Sequence, residues 1–178
     1  TGNYRVDIQV PFGYGVTSSN VGPDDCGDSD AVTNVAPGIW ATACFPFGST
    51  NNYCVDFGLK PLGAIGDFVW EDLNANGIQE AGEPGVSGVT VHLVSCSSGQ
   101  TNATTSTGAG GLYFFRCLPP DSYRVQFVAP PGYRFTTPNA GLNDAIDSDA
   151  DATGLTTCTN LSLGQTNLTV DAGLVRIP

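Results

Sequence analysis

Residues 72–83 read DLNANGIQEAGE, a D-x-N-x-N-G-x5-E pattern. Oxygen-bearing side chains at positions 1, 3, 5 and 12, with glycine at position 6, give the spacing of a twelve-residue calcium loop of the EF-hand kind. Calcium takes about six to eight oxygen ligands at roughly 2.3–2.6 Å. Asp72, Asn74 and Asn76 would supply side-chain oxygens. Ile78 would give its backbone carbonyl and turn its apolar side chain into the core. Glu83 can offer both carboxylate oxygens, and Glu80 one more, directly or through water. Gly77 permits the sharp turn. The plainer reading is a polar Asn/Gly turn, but a full match of the constrained positions favours the ion. Such a loop normally joins two helices, and this chain has no run of good helix formers to make them.

A second cluster is NDAIDSDAD, with Asn143, Asp144, Asp147, Asp149 and Asp151 inside residues 143–151. Carboxylates packed so closely repel one another unless a cation joins them. The plainer reading is a solvated acidic loop. A similar run, Asp24, Asp25, Asp28 and Asp30, recurs early in the chain, and that repetition favours metal. Asp67 or Glu71, on the segment before the first loop, are candidates to complete the second site.

Other chemistry is poorly provided for. The single histidine, His92, lies in a segment that reads as a strand, and no G-x-S-x-G elbow accompanies it. Acid pairs can serve a glycosidase, but here they stand at metal-ligand spacing. Trp40 and Trp70 read as core residues before they read as sugar platforms. With no C-x2-C pair, a zinc site is not expected. The balance of 17 acidic against 6 basic residues, net −11, argues against nucleic acid and anionic membranes as partners. No apolar stretch is long enough to span a membrane. We therefore expect a soluble, mature piece whose anchor, if any, lies outside it.

The elements that must position these loops are strands. Turns recur at short intervals, Gly (23) and Pro (12) are abundant, and Val and Thr are frequent, which together point to an all-β sandwich. GDFVWED, residues 66–72, opens the second part of the chain. In VSGVTVHLVSC, Val89, Val91 and Leu93 alternate with Thr90, His92 and Val94, the period of a half-buried strand. Tyr123, Val125 and Phe127 alternate in the same way. TTSTGAGGLYFFRCL reads as a hairpin turning at Gly108–Gly111, and TNLTVDAGLV closes the unit. The chain also repeats itself. Residues 3–31 align without a gap on 122–150, and VDFGL (55–59) matches VDAGL (170–174). Residues 1–62 thus read as the second half of a domain, and 63–178 as a whole one.

Six cysteines and three sequons, at Asn102, Asn160 and Asn167, suit an oxidising, extracytoplasmic setting with possible glycans. Cys96 and Cys117 end consecutive strands and are expected to pair. Cys26, Cys44, Cys54 and Cys158 allow three pairings among themselves. A bond within the group Cys26, Cys44 and Cys54 is expected.

Several motifs in the same order carry a family resemblance. GDFVWEDLNANGIQEAGEPGVSGVTVHLV, TSTGAGGLYFFRCLPPDSYRVQFVAPPGYRF, DSDADATG and VDAGL resemble the B-type repeats of serine-aspartate-repeat surface adhesins and related collagen-adhesin B-type domains. The resemblance covers 63–178, and its second half covers 1–62. It implies tandem immunoglobulin-like β-sandwich domains, stiffened by calcium and arrayed as a stalk or fibre at the cell surface. The rival is an adhesive module binding a protein or glycan through its loops. Many collagen-adhesin B-type domains carry a Lys–Asn isopeptide bond. Here the sole lysine is Lys60, read as linker, so 63–178 cannot form that bond within itself. For residues 1–62, half a sandwich leaves strand edges open. The expected partner is therefore a neighbouring repeat or another copy, joined end to end into a filament.

Overall fold

The computed structural model describes residues 2–19, 21, 28–47 and 54–178. The chain divides into two compact units, Thr1–Leu62 and Gly63–Pro178. Among the described residues of the first unit, the strands are β1 (Gly2–Tyr4), β2 (Asp7–Gln9), β3 (Tyr14–Val16), β4 (Thr33–Ala36), β5 (Ile39–Ala41), β6 (Phe45–Phe47) and β7 (Leu59–Pro61). They form three small antiparallel groups: β1 with β6, β2 with β5 and β4, and β3 with β7. Lys60 is therefore part of a strand, opposite Gly15, and not of a free linker.

The second unit continues with β8 (Gly63–Glu71), β9 (Thr90–Ser95), β10 (Thr101–Ser106), β11 (Leu112–Leu118), β12 (Asp121–Val128), β13 (Tyr133–Phe135), β14 (Thr159–Leu161), β15 (Thr166–Asn167) and β16 (Ala172–Arg176). One sheet runs β10-β9-β12-β14. The other runs β11-β8-β16-β13, with β15 parallel to β8. This is the all-β sandwich that the alternation demands. Val89, Val91 and Leu93 are fully buried, and so, to within 1%, are Tyr123, Val125 and Phe127. Ile65, Val69, Phe115 and Leu174 join them in one core. Tyr113 sets its ring edge-on to Phe127, centroids 5.4 Å apart, and its hydroxyl donates to the Val170 carbonyl at 2.6 Å. Each such buried side chain is worth about 1.5–3 kcal/mol over leaving it in water. β8 does not alternate because both of its faces are covered: Val69 and Trp70, on opposite faces, are both fully buried.

Two expectations need correction. The segment around Gly108–Gly111 is not a hairpin. β10 pairs with β9 and β11 with β8, so the chain crosses there from one sheet to the other. Gly111 makes the crossing possible. It has φ +86, and a Cβ on it would stand 2.3 Å from the Val69 carbonyl oxygen. Nor do Cys96 and Cys117 pair. Cys117 lies in the opposite sheet, at a bulge between Arg116 and Leu118 with φ +57, and remains a free thiol. Cys96 is bonded instead to Cys158, Cα–Cα 6.3 Å. That bond ties the end of β9 to the start of β14, the two strands that flank β12. Cys54 is also disulfide-bonded, Cys44 is free and exposed, and Cys26 lies outside the described residues.

The Cys96–Cys158 bond closes a loop of 62 residues. Loop-closure entropy then assigns it up to about 4 kcal/mol. We expect the Cys96→Ser/Cys158→Ser double variant to lose most of that in urea unfolding. Cys117→Ser should cost under about 1 kcal/mol.

Candidate metal centre

The loop 72–83 hangs from the end of β8. Asp72 is buried and fixes the turn from inside. Its Oδ2 accepts from Gly77 N at 2.8 Å and from Thr136 Oγ1 at 2.6 Å, and its Oδ1 from Asn76 N at 3.2 Å. Asn74 Oδ1 also accepts from Asn76 N (3.1 Å), and Asn76 Oδ1 from Ile78 N (2.8 Å). Glu83 closes the loop, one oxygen on Leu73 N at 2.9 Å and the other on Glu80 N at 3.0 Å. Asn74 Nδ2 donates to Glu80 Oε2 at 2.7 Å. Gly77 has φ +80, and a Cβ there would lie 2.4 Å from the Thr137 carbonyl oxygen. Ile78 is half-buried and outside the main core, contrary to expectation, because it pairs with the acidic loop instead.

That pairing is the main finding about the two motifs. Ile78 and Asp147 stand opposite each other in an antiparallel bridge. Gln79 N donates to Ile146 O at 2.6 Å and Ser148 N to Gly77 O at 3.1 Å, which leaves the Ile78 carbonyl out of both bonds. The two loops, far apart in sequence, form one body at one end of the sandwich.

Within the acidic run the structure sorts the residues. Among the described residues, Asp144, Asp147 and Asp149 are the group of carboxylates whose oxygens lie within 4.8 Å of one another. Asp72, Glu80 and Glu83 do not converge so tightly. Asp151 does not join: its Oδ1 accepts from Thr153 N, Thr153 Oγ1 and Leu155 N, which caps a turn and holds its pKa low. Asn143 Oδ1 accepts from Ala145 N at 3.3 Å. Glu71 is engaged elsewhere, by Arg176 and by the Tyr133 hydroxyl. Asp67 lies outside that group, though its charge helps to raise the pKa of Asp171.

Asp171 is the residue the sequence did not mark. It is fully buried on the segment leading into β16. Its N donates to Asp149 Oδ2 at 2.7 Å, its carbonyl accepts from Asp149 N at 2.9 Å, and its Oδ1 accepts from Phe68 N at 3.1 Å. Asp171 Oδ2 and Asp147 Oδ1 are buried without a hydrogen-bond partner among the described residues. Burial, then the charges of Asp67 and Asp149, pushes Asp171 up to about 9, and burial lifts Asp149 to about 7. Asp147 and Asp67 are raised by burial as well. Asp147 and Asp171 are buried, Asp149 is half-buried and Asp144 exposed, and carboxylate oxygens so gathered are a donor set that suits a hard divalent cation.

The first unit carries the same arrangement in part. Asp56 N donates to Asp30 Oδ2 at 2.7 Å, as Asp171 N does to Asp149. Asp28 Oδ1 is buried with no partner among the described residues. Asp24 and Asp25 lie outside the described residues. His92 Nδ1 is 2.8 Å from Thr104 Oγ1 on the neighbouring strand, a structural contact.

Residues 63–174 match the SdrD B-like domain family. Over 178 residues, 99% of the chain, it is 36% identical to serine-aspartate repeat-containing protein F of Staphylococcus epidermidis. It is 38% identical to serine-aspartate repeat-containing protein D of Staphylococcus aureus over 179 residues, again 99% of the chain. It spans only 10% and 12% of those relatives. Among solved structures it is similar to the minor pilin GBS52 of Streptococcus agalactiae, with TM-score 0.43 and 14% identity over 82% of this chain and 63% of that one. It is also similar to the major pilin subunit BcpA of Bacillus cereus, with TM-score 0.37 and 13% identity over 98% and 59%.

The raised acids set a pH dependence. Asp149 and Asp171 have folded pKa values above their unfolded one. Without a cation, their contribution to stability is fully present below about pH 4 and is lost as pH rises through 7 and towards 9. In chelator, therefore, the melting temperature should fall by about 5 °C or more between pH 5 and pH 9, as thermal unfolding would read. Asp171→Asn should flatten that slope.

Proposed function

Because the chain belongs to the SdrD B-like domain family, we propose that it is a calcium-stiffened building block of an extracellular stalk or fibre at the cell surface. The observation that carries the calcium part is the buried, unpartnered pair of oxygens on Asp147 and Asp171. A carboxylate shut away from water keeps its charge only if a cation or a proton compensates it.

Two sites are proposed. In the first, Asp72, Asn74, Asn76, Glu80 and Glu83 offer side-chain oxygens and Ile78 its carbonyl. In the second, Asp144, Asp147 and Asp149 form the mouth. Bound calcium supplies positive charge and fixed coordination. The residues do the rest. Asp72 ties the first loop to Thr136, Asp149 ties the second to Asp171, and the Ile78–Asp147 bridge joins the loops. An ion held by either loop therefore stiffens both, which is what a load-bearing spacer requires.

The array part rests on the internal repeat and on the relatives, of which this chain spans about a tenth. Neighbouring repeats of a longer polypeptide, end to end, are the proposed partners. Asn102 and Asn160 are exposed and open to a glycan, whereas Asn167 is half-buried with its Oδ1 held by Thr169.

Calcium at a millimolar, on a site with a dissociation constant near 10 µM, adds about 2.7 kcal/mol by mass action. We expect the melting temperature to rise by several degrees on adding calcium to chelated protein, and calorimetry to count the ions bound. Asp72→Ala should remove the first site's share and Asp147→Asn the second's, while Thr104→Ala should remove neither. Identical melting curves with calcium and with chelator would sink the proposal. Separately, because 63–178 contains no lysine, peptides confined to that range should show no mass deficit of one ammonia.

A further inference from the structure

Among the described residues, several pairings of the first unit repeat those of the second half of the second unit. Gly2, Asn3 and Tyr4 of β1 stand opposite Phe47, Pro46 and Phe45 of β6. Asp121, Ser122 and Tyr123 of β12 stand in the same register opposite Leu161, Asn160 and Thr159 of β14. Val6 N donates to Thr42 Oγ1 and Thr42 N to Val6 O, as Val125 N does to Thr156 Oγ1 and Thr156 N to Val125 O. Tyr14 faces Pro61 as Tyr133 faces Arg176. By this register Cys44, just ahead of β6, occupies the position of Cys158, just ahead of β14.

Among its described residues the first unit has no counterpart of β9. In the second unit β12 lies between β14 and β9. In the first, β1 and β2 have β6 and β5 on one side and, among the described residues, no strand on the other. The side chains that β9 helps to cover are laid open. Tyr123 and Val125 are 1% exposed, whereas their counterparts Tyr4 and Val6 are 51% and 39% exposed. Among the described residues of the first unit, the buried apolar side chains are those of Ala31 and Ala41 alone. Cys158 is bonded to Cys96 at the end of β9, while Cys44 is an exposed free thiol. Among the described residues, the open edge, the exposure of Val6 and the free thiol of Cys44 all fall where β9 stands in the second unit.

We propose that the open edge of β1 and β2 receives a strand of the β9 type ending in cysteine, and that Cys44 forms a disulfide with that cysteine. The donor is a neighbouring segment of a longer polypeptide. A second copy of this chain is a poor donor, because its own Cys96 is held by Cys158, and the relatives extend to about ten times this length. The register follows from the second unit. Val6 faces the donor's counterpart of Leu93, and Tyr4 the counterpart of Ser95. In the bond-forming step two thiols lose two protons and two electrons to a disulfide oxidant, which leaves as two thiols. The inference stands apart from the calcium reading and needs no ion.

The test joins a second copy of residues 63–119 directly to Thr1, so that the copied β9 lies where the register places the donor. The fusion is refolded with reduced and oxidised glutathione. Non-reducing peptide mapping should link Cys44 to the copied Cys96, with the Cys96–Cys158 bond of the second unit as internal control. Maleimide labelling of Cys44 should fall about tenfold from its level in the original chain. If Cys44 stays as reactive while the control bond forms, or pairs with the copied Cys117, the proposal is overturned. A second measurement needs no fusion. A peptide of residues 88–96, offered to the unmodified chain as its glutathione mixed disulfide, should couple to Cys44 well above a scrambled peptide of the same composition. Equal capture of the two peptides would likewise overturn it.

Discussion

The clasp between Asp149 and Asp171 holds together the end of the second unit that carries the acidic loop. Asp149 exchanges two hydrogen bonds with Asp171, and Asp171 Oδ1 takes a third from Phe68 N on β8. Two carboxylates thus fasten the acidic loop to the last strand, and the last strand to the central one. The arrangement imposes its own electrostatic requirement. Desolvated acids at this spacing cannot all carry charge without a counter-ion, so the geometry that organises the loop also creates its demand for a cation or a proton. The same clasp between Asp30 and Asp56 shows that the device belongs to the repeat and not to one copy of it.

Much of the sandwich is legible in the sequence, and for a definite reason. Val89, Val91 and Leu93, and Tyr123, Val125 and Phe127, alternate strictly because each of their strands has one covered face. The loop at 72–83 is legible because a tight turn built on Asp72 and Gly77 restricts every position at once. Self-comparison located the boundary between the units, since two copies of one solution must share their fixed residues.

The misreadings have physical causes too. Gly108–Gly111 carries hairpin residues, but the same glycines serve a crossover, and only the choice of partner strand tells the two apart. Cys96 and Cys117 are closer in sequence than Cys96 and Cys158, yet nearness along the chain says nothing about which sheet a strand joins. Asp151 belongs to the acidic run by composition, while its hydrogen bonds cap a turn. Aspartate suits both roles, and the sequence does not separate them. Asp171 escaped notice because VDAGL reads as a closing apolar strand, and a buried acid there is recognised only once Asp149 is seen beside it.

The first and last strands of the second unit, β8 and β16, are adjacent and parallel, with Ala172, Gly173 and Leu174 opposite Val69, Trp70 and Glu71. Tension that entered at Gly63 and left beyond Arg176 would pull these two strands along their own length in opposite senses. The evenly spaced, slanted bonds of a parallel pair would then share the load at once, in shear, instead of parting one after another like a zip. Phe68 N, held by Asp171, and Asp72 N, held by the Leu174 carbonyl, lie along the same seam. An ion seated beside it would act as a rivet on the line of force.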